Sequence, residues 1–223
     1  GKGANSVAGN TVLGEAALDA SVSGGNNVAI GKNSLTANTS GAKNVAVGRS
    51  SLEDNTTASD NTAVGDLALS ENTGAENTAV GSNSLGVNTS GTKNVALGAF
   101  SLDANTTGSQ NTGLGRSSLG ENTTASNNTA VGYFSLKANT TGATNTAVGN
   151  NSLRLNTTAS NNVAVGQQTL GDNTTGANNV AVGANALLVN TTASNNTALG
   201  YQALLLNTTG TNNVAVGALS LKS

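Results

Sequence analysis

Apolar residues recur along this chain in a short alternating block followed by a single leucine. The block is Asn-Val-Ala-Val-Gly or a close variant, as in Asn44 to Gly48, and the leucine follows four residues after the glycine, as at Leu52. Alternation with period two is the pattern of a β-strand, whose successive side chains point to opposite faces. Aligned on Asn10, Asn27, Asn44, Asn61, Asn77, Asn94, Asn111, Asn128, Asn145, Asn162, Asn179, Asn196 and Asn213, the pattern returns every 17 residues, with one interval of 16 after Asn61. The unit reads N-[TV]-A-[VLI]-G-x-x-[SA]-L-x-x-N-T-T-[GA]-x-x. Self-similarity at a fixed short period signals stacked repeats. A glycine in every unit and an Asn-Thr-Thr-Gly corner argue against long helices.

The expected architecture is therefore all-β: a parallel β-solenoid, or β-roll, of about thirteen 17-residue turns forming a single repeat domain over residues 1–223. Adjacent turns would pair about 4.8 Å apart. Positions two and four are expected to point inward and the position-three alanine outward. The interior is then built from the leucines of position nine (Leu18, Leu35, Leu52, Leu69, Leu85, Leu102, Leu119, Leu136, Leu153, Leu170, Leu187, Leu204 and Leu221) and from the aliphatic row of position four, including Val47, Val64, Val131 and Val165. A second short strand is expected around each leucine. Gly31, Gly48, Gly65 and Gly132 bend the chain between strands, where a residue without Cβ is easiest to place. Asn38, Asn55, Asn105 and Asn139 are corner residues expected to stack as amide ladders. The missing residue of the short unit falls in the corner at Asn72-Thr73-Gly74, where it leaves strand register untouched. So thin an interior offers little apolar burial per turn. Several chains, three in number, are expected to pack side by side along the alanine face.

Asn27-Val28-Ala29-Ile30-Gly31 with Ser34 resembles the head repeats of trimeric autotransporter adhesins, and Asn128 to Gly142 is similar to repeats of phage tail fibres and large bacterial surface proteins. The resemblance implies a left-handed parallel roll, trimeric and displayed on a bacterial surface. It gives an extracellular, cell-surface or virion tail-fibre location. The implied function is a structural fibre or adhesin segment that attaches to a host or surface glycan or protein.

Composition changes that picture little. Charged residues are 9% of the chain, against about 25% in an ordinary domain. The nine basic residues are scattered, without the clustering that phosphate binding requires, so no nucleic-acid partner is expected. No stretch approaches the roughly 18 apolar residues of a membrane span. The chain lacks His and Cys. Acid–base work would fall to carboxylates such as Glu53, Asp54 and Asp60, which read better as a solvated rim, so no enzyme, cofactor or metal site is expected. The calcium pattern Gly-Gly-x-Gly-x-Asp is absent, and Gly24-Gly25 opens no phosphate loop.

Corner triplets Asn-Thr-Thr and Asn-Thr-Ser are acceptors for N-linked sugar, at Asn38, Asn55, Asn88, Asn105, Asn122, Asn139, Asn156, Asn173, Asn190 and Asn207. Threonine rows resemble those of ice-binding solenoids, but paired threonines at a corner should not share one flat face. Phe100, Tyr133, Phe134 and Tyr201 are weak candidates for glycan stacking. The shortened unit at Asn5 to Gly9 and the partial unit from Asn213 read as a processed product or fragment, or as ends that stack into a self-assembling filament.

Overall fold

The computed structural model describes residues 7–222, so Asn5 and Ser6 of the shortened first unit lie outside the described residues. The chain divides into two compact units at Gln110/Asn111. The first holds β1 (Thr11–Leu13), β2 (Val28–Ile30), β3 (Val45–Val47), β4 (Thr62–Val64), β5 (Thr78–Val80) and β6 (Val95–Leu97). The second holds β7 (Thr112–Leu114), β8 (Thr129–Val131), β9 (Thr146–Val148), β10 (Val163–Val165), β11 (Val180–Val182), β12 (Thr197–Leu199) and β13 (Val214–Val216). Each unit is a parallel β-solenoid. One three-residue strand per repeat pairs with the next in sequence order, and like repeat positions lie side by side, as in Val28↔Val45 and Val163↔Val180. The register survives the 16-residue interval, with Thr62 opposite Thr78.

The strand stops after three residues because the glycine at position five leaves the β region. Gly31, Gly48, Gly65 and Gly132 have φ of 129°, 137°, 142° and 132°. A Cβ at Gly48 would stand 2.2 Å from the carbonyl oxygen of Gly65 in the next turn. The turns touch backbone to backbone here, and only glycine allows it.

Two expectations are corrected. Among the described residues no second strand forms around the leucines. Every position-nine leucine instead adopts the left-handed conformation, with φ between 47° and 53°. The backbone still pairs between turns there: the Leu35 N–H donates to the Ser51 carbonyl at 3.0 Å, and the Asn33 N–H donates to the Glu15 carbonyl at 2.9 Å. The ladder thus runs round the corner without β geometry.

The strand's two faces are also reversed. Ala29, Ala46, Ala63, Ala130 and Ala164 are fully buried, while Val47, Val64, Val131 and Val165 are half-buried on the outer side. The reason is the width of the coil. The Ser135 hydroxyl, at position eight, donates to the Ala147 carbonyl of the neighbouring strand at 2.9 Å, and the Thr169 hydroxyl reaches the Gly183 carbonyl at 2.7 Å. At these turns a position-eight hydroxyl reaches the backbone of the neighbouring turn, and the position-eight residues elsewhere are as small, which suits a methyl group opposite better than an isopropyl. Leucines 18 to 187 of position nine fill the rest at 0% exposure, Leu204 is nearly as buried, and Leu221 is 57% exposed.

Two columns of buried asparagine stitch the turns. At position one, the Asn27 N–H donates to the Asn10 side-chain oxygen at 2.8 Å, and the Asn44 N–H to that of Asn27 at 2.9 Å. The side-chain amide then donates across the unit to the position-fifteen carbonyl, as from Asn44 Nδ2 to Ala58 at 2.9 Å. The pattern lapses at two turns: Asn61 Nδ2, in the short unit, and Asn196 Nδ2, in a full-length one, are buried without a partner among the described residues. A buried unmet donor costs about 1–3 kcal/mol.

Candidate functional site

The outer face of the strands is a regular surface in each unit. Positions two and four carry only Thr, Val, Ile or Leu in all thirteen repeats, never a charge or a large polar group. Strand pairing in strict register makes each position a column. The residues are half-buried by their neighbours in the stack or exposed outright, with Leu97 at 49% and Val182 at 38%. An uncharged surface of this regularity, aliphatic throughout at position four and mixed Val and Thr at position two, is the kind that marks an interaction site.

The corner at positions twelve to fifteen has the opposite character. Asn105 Nδ2 donates to Asn88 Oδ1 at 2.8 Å and to the Gly108 carbonyl at 3.0 Å; Asn139 Nδ2 donates to Asn122 Oδ1 at 3.0 Å and to the Gly142 carbonyl at 2.9 Å. Asn55 bonds Asn38 Oδ1 at 3.2 Å and the Ala58 carbonyl at 3.1 Å. These amides form continuous internal ladders. The amides that the triplets would offer as sugar acceptors are thus turned inward. Asn38, Asn55, Asn88, Asn105, Asn122, Asn139, Asn156, Asn173 and Asn190 are all fully buried. Half-buried Asn207 has both amide hydrogens engaged, by Asn190 Oδ1 and the Gly210 carbonyl. The triplet showed the acceptor chemistry but not which way the amide points.

The position-thirteen threonines turn their hydroxyls onto the next turn, as from Thr140 Oγ1 to the Thr157 carbonyl at 3.1 Å and from Thr174 Oγ1 to the Thr191 carbonyl at 3.0 Å. Those hydroxyls serve the coil. The position-fourteen threonines, such as Thr141 and Thr158, are exposed.

Acidic side chains are spread along the corners and pair with a base on a neighbouring turn: Glu15 with Lys32 at 3.2 Å, Asp66 with Arg49 at 2.8 Å, Glu121 with Lys137 at 3.1 Å. Asp60 stands 3.9 Å from Lys43, while Glu53 accepts from Asn33 Nδ2 at 3.2 Å. These exposed pairs contribute at most about 1 kcal/mol each. No group of three metal-ligating side chains occurs among the described residues. Tyr133 and Phe134 stack at 3.9 Å between ring centroids, with the Lys137 ammonium 5.4 Å from the Phe134 ring. Phe100 instead lines a shallow cavity of about 260 Å³ beside Gly86, which like Gly120 and Gly171 leaves position ten without a side chain. The four aromatics thus share no platform, and Tyr201 stands exposed in its own turn. Among the described residues no helix is long and apolar enough to cross a membrane.

No protein-family profile matches the chain, and neither a curated protein nor a solved structure does.

Proposed function

We propose that the chain is the structural shaft or head segment of an extracellular fibre or adhesin, with copies bundled side by side through the face of positions two and four. The observation that carries this reading is the uncharged face of Val, Leu, Ile and Thr, repeated in every turn of a coil whose buried asparagines bond chiefly to one another and to backbone. Such a coil gains by covering that face, since each half-exposed valine or leucine still has apolar surface to bury. The alanine face cannot serve, because it is the interior. The resemblance of Asn27 to Gly31 and Ser34 to trimeric adhesin heads supports three copies. The bundle then displays the corners outward, where a surface glycan or protein would be met. In this reading the work is mechanical and adhesive, without bond-making chemistry.

Sedimentation equilibrium tests the bundle. The wild-type chain is expected to sediment as a trimer, and Val148→Asp, which places an unpaired carboxylate on the covered face, as a monomer with unchanged circular dichroism. A monomeric wild type sinks the reading. Electron microscopy of the purified protein then separates discrete short rods, expected of an adhesin segment, from continuous fibres, expected of a filament that needs no receptor.

A further inference from the structure

The corner asparagines do not exhaust the acceptor triplets. Where one unit meets the next, Asn127-Asn128-Thr129 and Asn195-Asn196-Thr197 also read Asn-x-Thr, and Asn150-Asn151-Ser152 reads Asn-x-Ser. The repeat conceals them, because the second asparagine is the buried position-one residue and only the first is the acceptor.

Their surroundings differ from those of the corners. Asn127 and Asn195 are exposed, sit in the left-handed region at φ 63° and 61°, and make no side-chain hydrogen bond among the described residues. Their amide nitrogens are committed to nothing. The partner hydroxyls, Thr129 and Thr197, lie at position two on the outer sheet face and are half-buried. Asn150 is exposed too, but Ser152 is fully buried and its hydroxyl donates to the Gly149 carbonyl at 3.1 Å. An enzyme that reads both the amide and the hydroxyl can engage the first two triplets and not the third. At the ten corners the case is reversed: the hydroxyl of Thr141 or Thr158 is open, but the amide of Asn139 or Asn156 is locked in the ladder.

We propose that Asn127 and Asn195 are the positions at which the folded chain accepts an N-linked sugar, and that the ten corner asparagines are closed to it. In the transfer the amide nitrogen attacks the anomeric carbon of a nucleotide-activated hexose. The new C–N bond forms as the C–O bond to the diphosphate breaks; the nucleoside diphosphate leaves, and the amide proton passes to a base of the transferase. Both sites are on the second unit, two residues before a strand.

The test is in vitro transfer with an N-glycosyltransferase that recognises Asn-x-Ser/Thr and uses a nucleotide-activated hexose, followed by peptide mapping by mass spectrometry. The folded wild type and the Val148→Asp variant are both used, so that a covered sheet face is not mistaken for a closed acceptor. A peptide spanning residues 134–146 serves as the unfolded corner. Expected are sugar on Asn127 and Asn195 in the variant at least, sugar on Asn139 in the peptide, and a drop of at least tenfold at Asn139 in the folded chain. Thr129→Val and Thr197→Val, which place at position two the residue found there at Val163 and Val180, should abolish transfer at Asn127 and Asn195 respectively without altering thermal unfolding. Sugar on the corners or on Asn150 of the folded chain, or none on Asn127 and Asn195 in either protein, overturns the proposal.

Discussion

Gly149→Ala is expected to open the second unit at one turn and to cost about 3 kcal/mol or more. Gly149 has φ 133°, outside the range that L side chains adopt readily, and its added Cβ would meet the Gly166 carbonyl carbon and oxygen at 2.6 and 2.4 Å. Neither atom belongs to a flexible side chain. The strand-ending bond from the Gly149 N–H to the Val131 carbonyl, 2.7 Å long, holds the glycine to the turn on its other side. The chain must therefore break one of its two inter-turn contacts to admit the methyl. A matched control sharpens the result. A Cβ at Gly142 would also come close to backbone, at 2.1 Å from the Ala159 carbonyl oxygen, but Gly142 is not at positive φ, and Ala125, Ala159 and Ala193 occupy the same repeat position. Gly142→Ala should stay within about 1 kcal/mol of wild type. Urea unfolding of both variants, with hydrogen exchange at Val148, Gly149 and Gly166, gives the comparison. Equal losses from the two substitutions would mean that contact distance, not backbone conformation, sets the cost.

The second large effect concerns Leu136. In most cores Leu→Ile conserves volume and costs less than about 1.5 kcal/mol, while Leu→Ala costs about 2–5 kcal/mol. Here Leu136 is fully buried at φ 52°. A branch at Cβ is poorly tolerated in the left-handed region, where even an unbranched residue carries strain. Leu136→Ile is thus expected to destabilise by about 2–4 kcal/mol, approaching or matching Leu136→Ala. Thermal unfolding of the two variants reads this directly. An isoleucine variant that behaves as a mild, volume-conserving change would show that the corner can relax out of its left-handed conformation.

These two sites also show how far the sequence is legible. The 17-residue period, the glycine that ends each strand and the buried leucine of each turn could all be read, because each rests on one residue type at one place. The sign of the strand's faces could not. Alternation in Val45-Ala46-Val47 says that Ala46 opposes its neighbours, not which side is interior. Hydrophobicity alone votes for valine, and the narrow gap crossed by Ser135 and Thr169 overrules it. The strand expected around Leu136 failed for a related reason. Leucine is rare at positive φ, so nothing in its identity announces a left-handed corner. The corner asparagines were legible as stackers, since Asn and Thr favour turns and ladders, but their triplets looked equally like sugar acceptors until the amides of Asn105 and Asn139 proved to face inward. The repeat boundary divides the triplets of Asn127 and Asn195 and so hides them.

The amide columns have a consequence for how such a chain changes over generations. Within either unit, each turn lends an asparagine oxygen to the turn beside it and takes the same loan from the other side. A whole repeat copied into the gene arrives with its bonding partners already specified, and one deleted leaves two compatible surfaces to rejoin. Gain or loss in steps of seventeen codons needs no compensating change elsewhere. The number of turns is thereby open to selection as a variable in its own right, separate from the chemistry of any one turn.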